Sequence, residues 1–279
     1  MRKQLYRAGE ILQELVYVHR EKNFDMILTK VEKKPEGGDT MYIHETDYAK
    51  KRKSGKITAL GDLVYPFPSD LIPDLRDKQA VLAHLACDDA VGWMHDVVQY
   101  FLGGIAKSIT ETAVQPKNKK RCLIAVKHTG KIDSFEYKHV FLTVELKNGE
   151  KYVLDFAGAQ LGYYEPVTPL SLYSAERVDT DVHLGWNAVQ PFGTRLQIMK
   201  SLMETRDKGT YSGYQDMLNS HTGEGLKLAS ESWCEVRQLP LAKMLLLPEK
   251  EFEMRKKDLV EQVGNALQSA LEGARFEAP

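Results

Sequence analysis

Cysteine is scarce in this chain: Cys87, Cys122 and Cys234 are the three thiols among 279 residues. Their separations of 35 and 112 residues contain no CxxC pair, which excludes a zinc knuckle and argues against a secreted disulfide framework. Long apolar runs are also missing, since the Met-Leu-Leu-Leu stretch at 244–247 is far short of the roughly 20 residues a membrane helix needs. Near the N-terminus, Arg7, Glu10, Gln13 and Glu14 interrupt the chain before any signal-length apolar segment forms, so a cytoplasmic protein is expected. An excess of one charge is lacking too. With 38 Lys+Arg against 39 Asp+Glu the net charge is −1, and no global field draws the protein to nucleic acid or to an anionic membrane. There is no internal repeat and no low-complexity tract.

What is present is enough apolar residue, 43% of the chain, to build a core without disulfide or metal support. Leu5, Ile11, Leu12, Leu15, Val16 and Val18 recur at helical spacing and predict an amphipathic helix over about 7–21. Residues 33–56, with Pro35, Gly37, Gly38 and the basic run Lys50, Lys51, Arg52, Lys53 and Lys56, read as an exposed arm. A long helical pattern then covers about 75–102 and ends at Gly103-Gly104.

Period-two texture follows, in Cys122–Val126, in Val140–Leu146, and after an Asn148-Gly149 turn in Tyr152–Leu154, which predicts an antiparallel sheet. Further helices are expected near 194–206, 239–247 and 248–272. The fold class is therefore α+β. Three regions are expected: an N-terminal helix and irregular arm (1–74), a core (75–180), and a helical C-terminal extension packed on it (181–279).

Three residue types used in thiol-based acyl transfer occur in order: Cys87, His139 at the head of a strand, and Asp155 at the end of the strand paired to it. A free thiol is mostly protonated at neutral pH, and a neighbouring imidazole and a helix N-terminus favour its thiolate. A carboxylate then fixes the imidazole tautomer and supports its charged form. With a turn at 148–149, facing residues have numbers summing to about 297, which offsets His139 and Asp155 by about three positions. A bulge or a third strand would be needed to bring them together.

The stretch His139-Val-Phe-Leu-Thr-Val-Glu-Leu-Lys-Asn-Gly-Glu-Lys-Tyr-Val-Leu-Asp155-Phe-Ala-Gly-Ala-Gln160 resembles the His-strand, hairpin, Asp-strand segment of papain-like and transglutaminase-like cysteine enzymes. The Cys, His, Asp order and the spacings of 52 and 16 residues fit the same superfamily. The resemblance covers about 75–180 and implies a central helix, opened by the nucleophile, packed on an antiparallel sheet. It implies Cys87 as nucleophile, His139 as base, Asp155 as orienting acid and Gln160 as a residue lining the site. The chain departs from many relatives in having Asp88 directly after the cysteine and Phe141 two residues after the histidine. An oxyanion donor is expected near the cysteine, either Gln79 or a backbone amide at 87.

Other features read more plainly. Cys122 in its apolar strand is expected in the core, and Cys234 is expected to be structural. Tyr163 and Trp186 are candidates for lining a substrate cleft, as are Tyr164 and Trp233, although aromatics in turn-rich segments are as often packing. His84 and His95 stand eleven residues apart, and three helical turns are too long a span for one shared metal. No metal site, cofactor or nucleotide loop is expected.

Lys117, Lys119, Lys120 and Arg121 form a second basic run. Together with the first run it offers a salt-sensitive contact to an aminoacyl-RNA or a carrier. The expected function is cysteine-dependent acyl transfer or amide hydrolysis on a small-molecule or peptide substrate. The competing class is a non-catalytic binding protein in which Cys87 is core.

Overall fold

The computed structural model describes residues 1–24, 26–34, 39–46, 67–133, 135–180, 187–205 and 211–273. The first basic run, Lys50–Lys56, and Trp186 lie outside the described residues. The chain forms helix α1 (Arg2–Lys22), strands β1 (Leu28–Lys34) and β2 (Thr40–Glu45), then helices α2 (Leu75–Leu82), α3 (Cys87–Gly92) and α4 (His95–Leu102). Strands β3 (Ala106–Val114), β4 (Cys122–Val126), β5 (His139–Leu146), β6 (Lys151–Leu154) and β7 (Val167–Pro169) follow, then α5 (Leu170–Arg177) and β8 (Ala188–Pro191). Helices α6 (Thr194–Thr205), α7 (Tyr211–Val236), α8 (Leu241–Met244) and α9 (Glu249–Gly273) complete the mixed α+β architecture.

Helix α1 begins five residues before the periodicity predicts, because Leu5 also belongs to its apolar face. Leu5, Ala8, Ile11, Leu12, Leu15 and Val16 are all buried, and α1 touches α2, α4, α7, α9 and β7. Removing that much apolar surface from water is the main driving term for its position. Two charged residues on it are buried as well. Arg7 donates to the carbonyls of Leu245 and Leu247 and to Glu249, with its guanidinium 4.2 Å over the Phe252 ring.

The strands form two sheets. A five-stranded antiparallel sheet runs β7-β6-β5-β3-β8, and a three-stranded one runs β1-β2-β4. Residues 33, 34 and 40–45, expected in an irregular arm, are therefore strand. Pairing of β4 with β2 is parallel, so Cys122–Val126 belongs to the smaller sheet, apart from the strand that His139 opens. Cys122 itself is exposed, not core, because β4 is an edge strand.

The predicted helix over 75–102 is three helices. Asp74 caps α2 by accepting the Asp77 amide. After Leu82 the chain turns through Leu85, whose φ of +52° lies in the left-handed region, and restarts at Cys87. No proline or glycine marks this break, which is why periodicity alone runs through it.

In the β5–β6 hairpin Leu142 faces Leu154 and Glu145 faces Lys151. Facing residues thus sum to 296, one less than the turn suggests. One residue of register moves a side chain to the other face of a strand. With this register His139 and Asp155 are two positions apart diagonally and share a face, without a bulge. Leu142, Val144, Leu146, Tyr152 and Leu154 enter the main core with α1, while Phe141 and Val153 pack on the opposite face against Tyr173 of α5. Among the described residues no helix is long and apolar enough to cross a membrane.

Candidate active site

His139 and Asp155 meet on the face covered by α5. The His139 Nε2 atom lies 2.9 Å from Asp155 Oδ1, and both side chains are buried. Tyr173, on the first turns of α5, donates its hydroxyl to Asp155 Oδ2 at 2.8 Å. Both carboxylate oxygens are thereby engaged. The other ring nitrogen of His139, Nδ1, is turned toward Gln160 Nε2 at 3.5 Å.

Cys87 stands beside this ring. It opens α3, which packs on β5, and its thiol points toward the Lys138 carbonyl at 3.9 Å. Burial by itself would depress the His139 imidazole, but the charge and hydrogen bond of Asp155, reinforced by the hydrogen bond and charge of Cys87, push it up to about 10. Burial would raise Asp155, whereas the charge and hydrogen bond of His139, the Tyr173 hydroxyl and the Arg177 charge hold it below the ordinary carboxylate range. The electrostatics favour a charged imidazolium next to the thiol.

Arg177 adds a buried positive charge behind the pair. Its guanidinium lies 3.9 Å from the Tyr163 ring centroid and 5.0 Å from that of Tyr173, a stacked setting that suits a planar cation. Among the described residues its Nε and Nη1 have no hydrogen-bond partner. Arg177 therefore acts on Asp155 through its charge. Gly158 completes the wall, since a Cβ there would come within 2.9 Å of both Asp155 Oδ2 and the Tyr163 carbonyl oxygen.

Two contacts set the position of α3. Buried Arg20 of α1 donates to the Leu82 carbonyl at 3.1 Å and to Asp89 at 3.2 Å, bridging the end of α2 to the first turn of α3. From the other side, Arg195 pairs with Asp88 at 2.8 Å, and the start of α6 is held where Glu111 accepts the Gly193 and Arg195 amides.

Cys87 and His139 both line an open cleft of about 320 Å3, together with Leu85, Cys122, Leu123, Ile132, Phe135, Tyr137 and Gln160. Gln160 accepts the Leu85 amide at 3.1 Å, so its carboxamide is fixed at the cleft floor. Gln79 does not line the cleft. Tyr163 is buried with its hydroxyl donated to the Asn118 carbonyl, and it also lies outside the cleft. Trp233 is buried and donates to Asp258, and Cys234 is buried beside Tyr100, whose phenol is pushed well above its ordinary range by desolvation and then by its hydrogen bond to Cys234. In the second basic run Lys119 and Arg121 reach the cleft, but Arg121 is held by Asp39, Asp77 and the Arg76 carbonyl. His84 lines the cleft while His95 stacks on Phe192. Among the described residues no group of three or more His, Cys, Asp or Glu is arranged to hold a metal ion.

Comparison with protein-family models, with curated proteins and with solved structures gives no match. Sequence reasoning did not single out Tyr173, Arg177, Arg20 or Gly158. Tyr173 and Arg177 fall on one short amphipathic helix and carry no local motif. Their role follows from which face of the sheet that helix covers.

Proposed function

We propose that this protein is a cysteine-dependent acyl-transfer enzyme of papain-like or transglutaminase-like organisation. One observation carries the reading: a buried chain from Tyr173 through Asp155 to His139 ends beside the Cys87 thiol at the wall of an open cleft. Structural cysteines are usually inert in apolar surroundings, whereas this one has a base oriented by a carboxylate.

In this mechanism His139 holds the proton of Cys87, and the thiolate sulfur attacks an acyl carbon. The carbon–nitrogen bond of the substrate breaks as His139 returns the proton to the leaving amine, and a thioester remains on Cys87. Water or an amine then adds to the thioester, gives its proton to His139, and expels the thiolate. Asp155 keeps Nε2 of the ring engaged, so that Nδ1 faces the reaction. The Gln160 carboxamide, held through its oxygen by the Leu85 amide and with its Nε2 3.5 Å from His139 Nδ1, is the side-chain donor this mechanism assigns to the developing oxyanion.

Incubation with p-nitrophenyl acetate tests the reading. The expected result is a burst of nitrophenolate and a 42 Da adduct (roughly one acetyl group on one acyl-enzyme) on the Cys87 peptide that hydroxylamine removes. The Cys87→Ala variant should give neither. An acetyl group found only on Cys122, or no burst, would return the protein to the non-catalytic binding class.

A further inference from the structure

The turn between β3 and β4 carries positive charge that the fold leaves without carboxylate partners. Arg121 is engaged by Asp39 and Asp77. Among the described residues, by contrast, Lys117, Lys119 and Lys120 form no ion pair, and Lys119 and Lys120 are exposed. Lys119 lines the same cleft as Cys87 and His139. Of the carboxylates lining that cleft, Asp133 is occupied by the Phe135 amide and the Tyr137 hydroxyl, and Glu136 lies 3.5 Å from Gln115 Nε2. The lysine charge is therefore open to a ligand.

A basic run is ordinarily a solvated loop, but the backbone of this one is pinned along its length. The Lys117 amide donates to the Arg177 carbonyl at 2.9 Å, and the Lys120 and Arg121 amides both donate to the Leu161 carbonyl, at 2.9 and 3.2 Å. Between them Asn118 takes a left-handed φ of +53°, donates its side-chain amide to the Glu176 carbonyl and accepts the Tyr163 hydroxyl on its own carbonyl. Such a backbone persists where the surroundings over-determine it. Gly162, at φ +84°, packs the neighbouring turn so closely that a Cβ would stand 2.8 Å from Lys120 Cβ. That turn also holds Gln160, which reaches the His139 ring and the Leu85 amide. The lysines are thus carried on a backbone locked to the site, and cations held in place beforehand lose little freedom when an anion arrives.

Building on the reading of Cys87 as nucleophile, we propose that the acyl donor is a small molecule bearing a phosphate group, which Lys119 with its neighbours Lys117 and Lys120 holds while the acyl carbon meets the thiol. Ammonium groups act as point charges without the planar fork that selects a carboxylate, and several of them together suit the dianion and many oxygens of a phosphate. Arg121, the guanidinium on the cleft wall, is already paired. A cleft of about 320 Å3 suits a small ligand more than a folded surface. An uncharged donor would use the thiol without needing this turn.

The test uses the full-length protein and three phenyl acetates, in which the thiolate attacks the acetyl carbon, the carbon–oxygen bond breaks, and the phenolate leaves with the proton of the His139 imidazolium. They differ only in the para substituent: a phosphate, its dimethyl ester, and a carboxylate. Acetylation of Cys87 is followed by peptide mapping, and each rate is divided by that of the same ester with free cysteine. At low salt the phosphate compound should acetylate Cys87 about fivefold or more faster than the dimethyl ester, the gain expected where exposed ammonium groups meet one dianion, with the carboxylate between them. The advantage should shrink toward one as salt is raised to about 0.5 M. A Lys119→Gln, Lys120→Gln double variant should lose it, and Lys119→Glu should lower it further. Equal rates for the phosphate and its dimethyl ester on the wild-type protein, with Cys87 still acetylated, overturn the phosphate inference and leave the nucleophile in place. An equal advantage for the carboxylate overturns the assignment to phosphate, and an advantage that survives the lysine substitutions overturns the site. Failure of Cys87 to react with any of the three, or with iodoacetamide, removes the nucleophile and the inference together.

Discussion

Tyr173 donates its hydroxyl to the Asp155 oxygen that His139 does not use, at 2.8 Å, so the carboxylate is held from two sides in a buried site. A buried anion that loses a donor is left with unpaired charge, and the remaining partner loses its orientation. Tyr173→Phe keeps the ring packed on Phe141 and removes only this bond. It should cost about 1–3 kcal/mol of stability and slow alkylation of Cys87, while Tyr173→Ala adds a cavity and costs more. Urea unfolding and timed iodoacetamide labelling check both parts.

Arg177 acts on the same carboxylate through charge. Replacing it with Met keeps much of the volume between Tyr163 and Tyr173 but removes the cation. Asp155 should then protonate at a higher pH, which moves the acid limb of Cys87 alkylation upward. Arg177→Lys should restore part of that limb. A pH–rate profile that is unchanged in the Met variant contradicts this role for Arg177.

Arg20 and Gly158 are the structural supports. Arg20→Met leaves the Leu82 carbonyl and Asp89 without their shared donor and frees α3 to shift. A loss of about 2–4 kcal/mol is expected, with slower Cys87 alkylation even where the protein remains folded. Gly158→Ala forces its Cβ against a carboxylate that cannot move away from His139 and Tyr173, so it should impair the site more than a surface Gly→Ala change such as Gly104→Ala, where a Cβ meets nothing within 4 Å.

Two histidines give opposite slopes of stability with pH. Buried His19 is pushed down to about 3 by desolvation and then by Arg20. The unfolded chain therefore binds a proton below about pH 6.5 that the folded chain does not, and this part of the stability is lost as pH falls toward 3. His139, raised to about 10, works the other way: its contribution is complete below about pH 6.5 and fades as pH rises toward 10. Asp155, held low, adds to the acid loss. Urea midpoints measured from pH 4 to 10 should peak near neutrality. His19→Gln should flatten the acid side and His139→Gln the alkaline side.

The hairpin that carries His139 and Asp155 was legible because alternation and an Asn-Gly turn are local signals, and Gly149 takes the positive φ the turn requires. Its register was not, since the turn fixed the sum of facing residues only to within one, and that one residue decides whether the two side chains share a face. Cys87 could be placed by order and spacing but not in its setting. The break before it depends on Leu85 adopting a left-handed backbone and on Arg20 reaching across from α1, and neither leaves a mark in the local pattern. Helix α7 (Tyr211–Val236) falls between the helices expected near 194–206 and 239–247, and it contains two glycines, Gly223 and Gly225. In the fold Gly223 lets the helix approach the Trp93 carbonyl, where a Cβ would stand at 2.5 Å. Parallel pairing of β4 with β2 joins segments about 80 residues apart, a non-local contact that period-two texture cannot report.

The central claim is that His139 activates Cys87. Brief, substoichiometric iodoacetamide treatment at neutral pH, followed by peptide mapping of the wild type and His139→Ala, tests it most directly. The account predicts that Cys87, although far less exposed than Cys122, is alkylated first in the wild type and loses that lead when His139 is replaced. Labelling that follows exposure, with Cys122 ahead of Cys87 in both proteins, contradicts it.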